Sequence, residues 1–458
     1  MQAPTTETTT LVVFGATGDL TKRLLLPGLG TLLKAEPSWD VTLVGTSRHG
    51  MPNRDWADVV QTSLLDGGCP DARAARIADT ARFEALDAGD PEAVRELLET
   101  LPEPAVLYFA LPPQATMAAC ATLAATGLRE DIRLGIEKPF GTDLASAQEF
   151  NQILRRVAPE ERIFRVDHFL GKSTVLNLLG LRFANRVFEP VWNAQNIERV
   201  EIVADETLAL EGRAGYYDTA GALKDMIQSH LLLVMAMFAM EAPARLDAVE
   251  VRDLMAHTLR ATRLWGGDPV VASRRARYVA GRVNGRDVPD YVDEPGVDPA
   301  NDTETLAEVT VEVNNARWAG VPIRLRSGKA LGDGYRGITI AFRPMNYLSE
   351  GFGGEAPRNV LSIGMTPETI GLSIATNAEA ERWQLDETVL ATQLGASPVR
   401  PYGQILQGIL SGDPLLSVRG DIAEECWRIL TPVVESWRDG RVGMDEYRAG
   451  SSGPASWV

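Results

Sequence analysis

A short buried strand running into a glycine turn restricts the fold of this chain more than any other feature. In TTLVVFGATGDLTKRLLLPGLGTLL, Leu11 to Phe14 form an apolar run, Gly15-Ala16-Thr17-Gly18 follow, and an apolar-periodic segment continues until Pro27 and Gly28 interrupt it. VTLVGTSRHG, AVLYFALPPQ and IRLGIEKPFG repeat the pattern of a short apolar run ended by turn residues. Strands separated by helical stretches predict a parallel, doubly wound sheet. After about residue 195 the rhythm changes. In LAEVTVEVNN, Val309, Val311 and Val313 alternate with Thr310 and Glu312, and GITIAF and TIGLSIAT repeat that period of two. Such strands predict an antiparallel sheet with one face covered.

At 458 residues the chain exceeds one ordinary core, which predicts two domains or one large elaborated domain. A formal net charge of -17 argues against non-specific nucleic-acid binding and against attraction to an anionic membrane surface. The longest apolar run, Leu231 to Met240, is about half of what a spanning helix needs, so a buried helix is expected there. MQAPTTETTT has no basic region followed by an apolar one and reads as a short flexible lead rather than an export signal. Cys69, Cys120 and Cys426 are odd in number and form no C-x-x-C pair, which fits reduced thiols in a cytoplasm. No metal site is expected.

The glycine turn has two readings. It lets the backbone approach a pyrophosphate closely at a helix N-terminus, or it is a plain strand-to-helix turn, since the full G-x-G-x-x-G is not present. At the end of the second strand stand Thr46, Ser47 and Arg48 with no acid. A guanidinium there suits a 2′-phosphate, where a ribose 2′-hydroxyl calls for Asp or Glu; the alternative is a solvated surface arginine. Lys138 follows an apolar strand at its C-terminal end, where doubly wound sheets place ligands, or else is a surface lysine. In GYYDTAGALKDMIQSHLLLVM, Asp225 and His230 are five apart, about 140° around an α-helix, so both reach one cleft only from its opposite edges. Taken singly, a histidine before an apolar run is more often a satisfied core residue than a catalytic one, and His230 reads so.

FGATGDL, YFALPP, EKPFGTDL, RVDHFLGK, LRFANRVFEPVWN, GYYDTAGALKDMIQSH, RWAGVPIRLRSGKAL and WRILTP, in that order, resemble the glucose-6-phosphate dehydrogenase family from near residue 11 to near 437. The resemblance implies an α/β Rossmann-type NADP-binding domain, residues 1–167. It also implies an α+β domain for substrate binding and oligomerisation, residues 168–458, built on a large, mainly antiparallel sheet. The implied reaction oxidises the C1 hydroxyl of glucose 6-phosphate to a lactone, with hydride passing to NADP.

By motif, His230 matches the general base and Asp167 the acid that orients it. His168 and Lys172 match the groups that bind the sugar phosphate, and Lys138 a lysine beside both substrate and nicotinamide. Glu206, Asp225 and Lys329 match the groups that hold the sugar hydroxyls. Gly15, Thr17, Gly18, Asp19, Leu20 and Arg48 match the cofactor positions. If RVDHFLGK is helical, His168 and Lys172 are i and i+4 on one face and grip a phosphate together, while Asp167 points about 100° away.

The sequence departs from the family pattern at Phe169, where a tyrosine is usual, at Ser229, at Gly334, where Lys or Arg is usual, and at Tyr402-Gly403-Gln404. Two other readings remain: a related Rossmann sugar oxidoreductase acting on another sugar, and a non-enzymatic NADP sensor. An antiparallel sheet with an exposed face favours a homodimer or homotetramer, with a small-molecule sugar phosphate as the other partner.

Overall fold

The first strand is longer than its apolar run. It spans Thr9–Phe14 (β1) and every one of its six residues is buried, so two of the threonines read as a flexible lead belong to the sheet instead. The structure, a computed structural model, describes residues 8–377, 382–395 and 397–457; Met1 to Glu7, the remainder of that lead apart from Thr8, lie outside the described residues. The chain divides into two units, Met1–Ser173 with Pro243–Asp253 and Ser397–Glu424, and Thr174–Ala242 with Leu254–Ala396 and Glu425–Val458.

In the first unit, β1 pairs in parallel with β2 (Val41–Ser47), which pairs with β3 (Arg82–Ala85). On its other side β1 pairs with β4 (Ala105–Phe109), followed by β5 (Arg133–Glu137) and β6 (Ile163–Val166). The order 6-5-4-1-2-3 is the doubly wound arrangement that the sequence predicts, with its switch point between β1 and β4. A short antiparallel strand, Ser417–Val418, closes the β6 edge. Pro27 and Gly28 do not stop the first helix. Thr21–Leu25 is wound with i→i+5 bonds and runs into an α-helix, Leu26–Ala35, with Pro27 in its first turn, where the missing N–H is harmless. Gly28 instead permits a close approach, because a Cβ there would lie 2.6 Å from the Cβ of Tyr402 on the helix Pro401–Ser411.

The second unit is built on a sheet whose central path runs Leu385–Gln393, Glu368–Asn377, Val360–Met365, Arg336–Phe342, Ile197–Asp205, Ile323–Gly328, Leu306–Val313, Ser273–Val279, Met444–Arg448. Neighbours are antiparallel except Ile197–Asp205 with Ile323–Gly328 and Ser273–Val279 with Met444–Arg448. The strand Leu306–Val313 differs from its expected alternation. Glu308 and Glu312 are buried along with the valines, because Arg274 and Arg324 lie on the Glu308 carboxylate and Arg263 lies on that of Glu312. Arginine stems thus cover the second face of the sheet. The apolar run Leu231 to Met240 is buried throughout, as expected for a core helix.

Candidate active site

At the C-terminal end of β1 the chain turns at Gly15, with φ at 83°. An added Cβ would stand 2.3 Å from the Ala110 carbonyl oxygen, so only glycine fits. The amides of Gly15 and Ala16 bond to the Thr46 carbonyl, and Gly18 N–H bonds back to Gly15. Thr17, Gly18 and Asp19 are exposed, Leu20 is half-buried, and Arg23 pairs with Asp19 at 3.1 Å. Arg48 is exposed just beyond β2.

RVDHFLGK is not an α-helix. Leu170, Gly171 and Lys172 N–H groups bond to the carbonyls of Asp167, His168 and Phe169, a run of i→i+3 turns, and the helix Ser173–Phe183 begins only afterwards. His168 and Lys172 therefore do not share an α-helical face as i and i+4, and the phenylalanine between them does the organising. The Phe169 ring lies edge-on to His168 at 5.2 Å and under the Lys172 ammonium at 3.8 Å. Asp167 is fully buried and its Oδ1 accepts the Phe169 N–H at 3.0 Å.

His168 also stacks on Tyr402, with ring centroids 5.5 Å apart and planes 14° apart. Tyr402 and Tyr108 both hydrogen-bond the carboxyl of Glu137, the residue before Lys138. Burial pushes Glu137 up to about 7, against the pull of the two hydroxyls and of Lys138, with the Asp167 charge adding slightly to the rise.

In the second unit Asp225 and His230 lie on Leu223–Leu231, which is wound with i→i+5 bonds. In such winding, residues five apart are much closer around the axis than the 140° of an α-helix, so the two share a face instead of meeting from opposite edges. His230 is buried, and Asp225 Oδ1 accepts from the Tyr216 hydroxyl at 3.4 Å. Glu206 is gripped from two sides, by Lys329 Nζ on Oε2 and by Arg336 on Oε1, each at 2.7 Å. Arg336 thus brings a cation to the cluster although Gly334 has none.

Residues 12–177 match the family described as "Glucose-6-phosphate dehydrogenase, NAD binding domain", and residues 179–457 match "Glucose-6-phosphate dehydrogenase, C-terminal domain". The chain belongs to the glucose-6-phosphate dehydrogenase family. A "Glucose-6-phosphate 1-dehydrogenase" of Gluconobacter oxydans (strain 621H) is 36% identical over 462 residues, spanning 97% of this chain and 94% of the relative. The enzyme of the same name from Zymomonas mobilis subsp. mobilis is 34% identical over 478 residues, spanning 99% and 97%. A solved structure described as "Glucose-6-phosphate dehydrogenase in complex with its substrate glucose-6-phosphate" matches with a TM-score of 0.88 at 30% identity, covering 98% of this chain and 96% of that one. The glucose-6-phosphate 1-dehydrogenase of Mycobacterium avium matches with a TM-score of 0.85 at 31% identity, covering 98% and 95%.

The family uses a nicotinamide dinucleotide, and the first unit fits one. Its glycine turn leaves Thr17 and Gly18 exposed at the switch point of a parallel sheet, and Gly15 packs too closely on the Ala110 carbonyl for any side chain to stand there. Glu137, Tyr108 and the Tyr402 ring join the cluster around His168 without any of them being a site residue expected from the sequence. A carboxyl at the end of an apolar strand beside Lys138 was one available signal. The pairing of Tyr108 and Tyr402 on it was not, because the two tyrosines are far apart in sequence.

Proposed function

We propose that this chain oxidises D-glucose 6-phosphate at C1 to 6-phosphogluconolactone, with NADP as its preferred hydride acceptor. The bound dinucleotide supplies the hydride acceptor; the protein supplies the proton acceptor, the orientation and the charge. His230 takes the C1 hydroxyl proton as hydride leaves, a task suited to a neutral imidazole near neutral pH. Its motif match proposes Asp167 as the acid that supports this base. His168 and Lys172 bind the phosphate, with Phe169 and Tyr402 holding the imidazole plane and Phe169 the ammonium. Glu206 and Asp225 accept from sugar hydroxyls and Lys329 donates to them, while Lys138 serves substrate and nicotinamide together. Gly15, Thr17, Gly18, Asp19 and Leu20 form the pyrophosphate loop, and Arg48 meets the 2′-phosphate.

The observation that carries the reading is the buried His230 on a wide helical turn that aligns it with Asp225, in a chain that matches the family over both of its domains. It is tested by following reduced nicotinamide absorbance with glucose 6-phosphate, with glucose and with no sugar. Reduction that depends on the sugar phosphate is expected, and its absence overturns the activity. Equal efficiency with glucose overturns the phosphate clamp. His230→Asn is expected to lower kcat by about two to four orders of magnitude; a variant that keeps the wild-type kcat assigns the base elsewhere.

A further inference from the structure

Thr303-Glu304-Thr305, just before the strand Leu306–Val313, ties together two parts of the second unit that are far apart in sequence. On one side, the Thr303 hydroxyl donates to the Asp218 carbonyl. The Glu304 carbonyl accepts Ala222 N–H at 3.3 Å, and its Oε1 accepts Leu223 N–H at 2.8 Å. On the other side, the Thr305 carbonyl accepts Lys329 N–H at 2.9 Å. Tyr447, 2.9 Å from the Thr305 hydroxyl, donates to the Lys329 carbonyl at 2.6 Å. The helix of Asp225 and His230 and the turn that presents Lys329 therefore hang from one tripeptide.

The helix needs this anchor because of how it starts. Gly221, at φ 65° and ψ 175°, breaks the winding that precedes it. At the start of Leu223–Leu231 the Leu223 N–H accordingly goes to a side chain from outside the helix, Glu304 Oε1, as a cap does for a helix N-terminus. Glycine and acid are matched, since a Cβ at Gly221 would lie 2.3 Å from Glu304 Oε1. Glu304 is held there although burial penalises its charge, opposed by the Leu223 amide, its own amide, Lys224 and Arg275.

We infer that Glu304 is a positioning residue of the reaction: by accepting the first amide of the wide-turn helix, it sets the height and rotation of His230 and Asp225. The inference rests on the reading of His230 as the base. Misplacing a reacting group by about 1 Å lowers turnover by as much as about a hundredfold.

Two variants of similar length test it in the full-length enzyme. Glu304→Gln keeps an oxygen acceptor in reach of Leu223 N–H. Glu304→Met fills a similar volume and offers none. With glucose 6-phosphate and NADP, the glutamine variant is expected to keep kcat within about threefold, and the methionine variant to lose at least about tenfold. The dissociation constant of NADP, set by the first unit, should stay within about twofold for both, a split that a merely structural role would not produce. Should the methionine variant not fold, Glu304→Asp, one methylene too short to reach, carries the same expected loss. Wild-type kcat in the variant that lacks the contact, or an equal loss in Glu304→Gln, overturns the inference. His230→Asn in the same series separates the two readings. If it retains turnover, the base assignment fails; if it is inactive while the variant lacking the contact is fully active, only the role of Glu304 fails.

Discussion

Tyr402 lies flat against His168, ring centroids 5.5 Å apart, while its hydroxyl engages the half-buried carboxyl of Glu137. The same tyrosine therefore fixes the plane of a proposed phosphate ligand and partners the acid beside Lys138. Tyr402→Leu removes the platform and is expected to raise the KM for glucose 6-phosphate about fivefold, ~1 kcal/mol for an aromatic pair. Tyr402→Phe keeps the stack and should stay within about twofold. Steady-state kinetics on both variants check this; equal losses would place the effect in the hydroxyl instead.

Arg336 shares Glu206 with Lys329 and stands in for the missing cation at Gly334. Arg336→Ala leaves a carboxylate with one partner instead of two. An expected loss of ~1.5 kcal/mol in kcat/KM for glucose 6-phosphate, about tenfold, follows from removing a charge-assisted hydrogen bond that is partly open to solvent. Gly334→Lys in that background should restore part of it, because the tightest contact of a Cβ at Gly334 is with the Thr207 methyl, at 3.3 Å.

The absence of an acid after β2, with Arg48 exposed there, sets the cofactor prediction. Arg48→Ala should weaken NADP by ~1.5 to 3 kcal/mol and NAD far less. Titrating both dinucleotides against the variant decides it, and equal losses would remove Arg48 from 2′-phosphate recognition.

Glu137 makes stability depend on pH. Tyr108, Tyr402, Lys138 and Asp167 surround its carboxyl, and burial raises it from an ordinary 4.5 to about 7. The folded chain binds this proton more tightly than the unfolded chain. The stabilisation is therefore fully present below about pH 4.5 and is lost as pH rises through about 7. In Glu137→Gln the term vanishes, so denaturant unfolding from about pH 5 to about pH 8 should show the wild type losing ~2 to 3 kcal/mol relative to the variant. Parallel pH curves would show that the carboxyl is not held protonated.

The parallel sheet was legible from its central strands, β1 and β4, which are buried throughout and so appear as apolar runs followed by glycine or proline, whereas β3, Arg-Phe-Glu-Ala with mixed burial, shows no such run. The second sheet was less so. Leu306–Val313 alternates in sequence but not in burial, since whether Glu308 and Glu312 face water depends on where Arg274, Arg324 and Arg263 lie. The segments Pro243–Asp253 and Ser397–Glu424, which the sequence reading takes with the carboxy-terminal part, group with the first unit, and no local pattern distinguishes them.

Within the candidate site, the residue types and their spacing came from the sequence: an acid and a histidine five apart, an Asp-His pair four residues before a lysine, an arginine where an acid is usual. Their directions did not. A five-residue spacing is about 140° in an α-helix and well under half of that when the turn closes i→i+5, and only the folded helix Leu223–Leu231 decides between them. Arg336 on Glu206, Tyr402 on His168 and Glu304 under Leu223 are pairings between residues distant in the chain. Side-chain contacts of that kind leave no period in a sequence, because what selects them is which elements the core brings side by side.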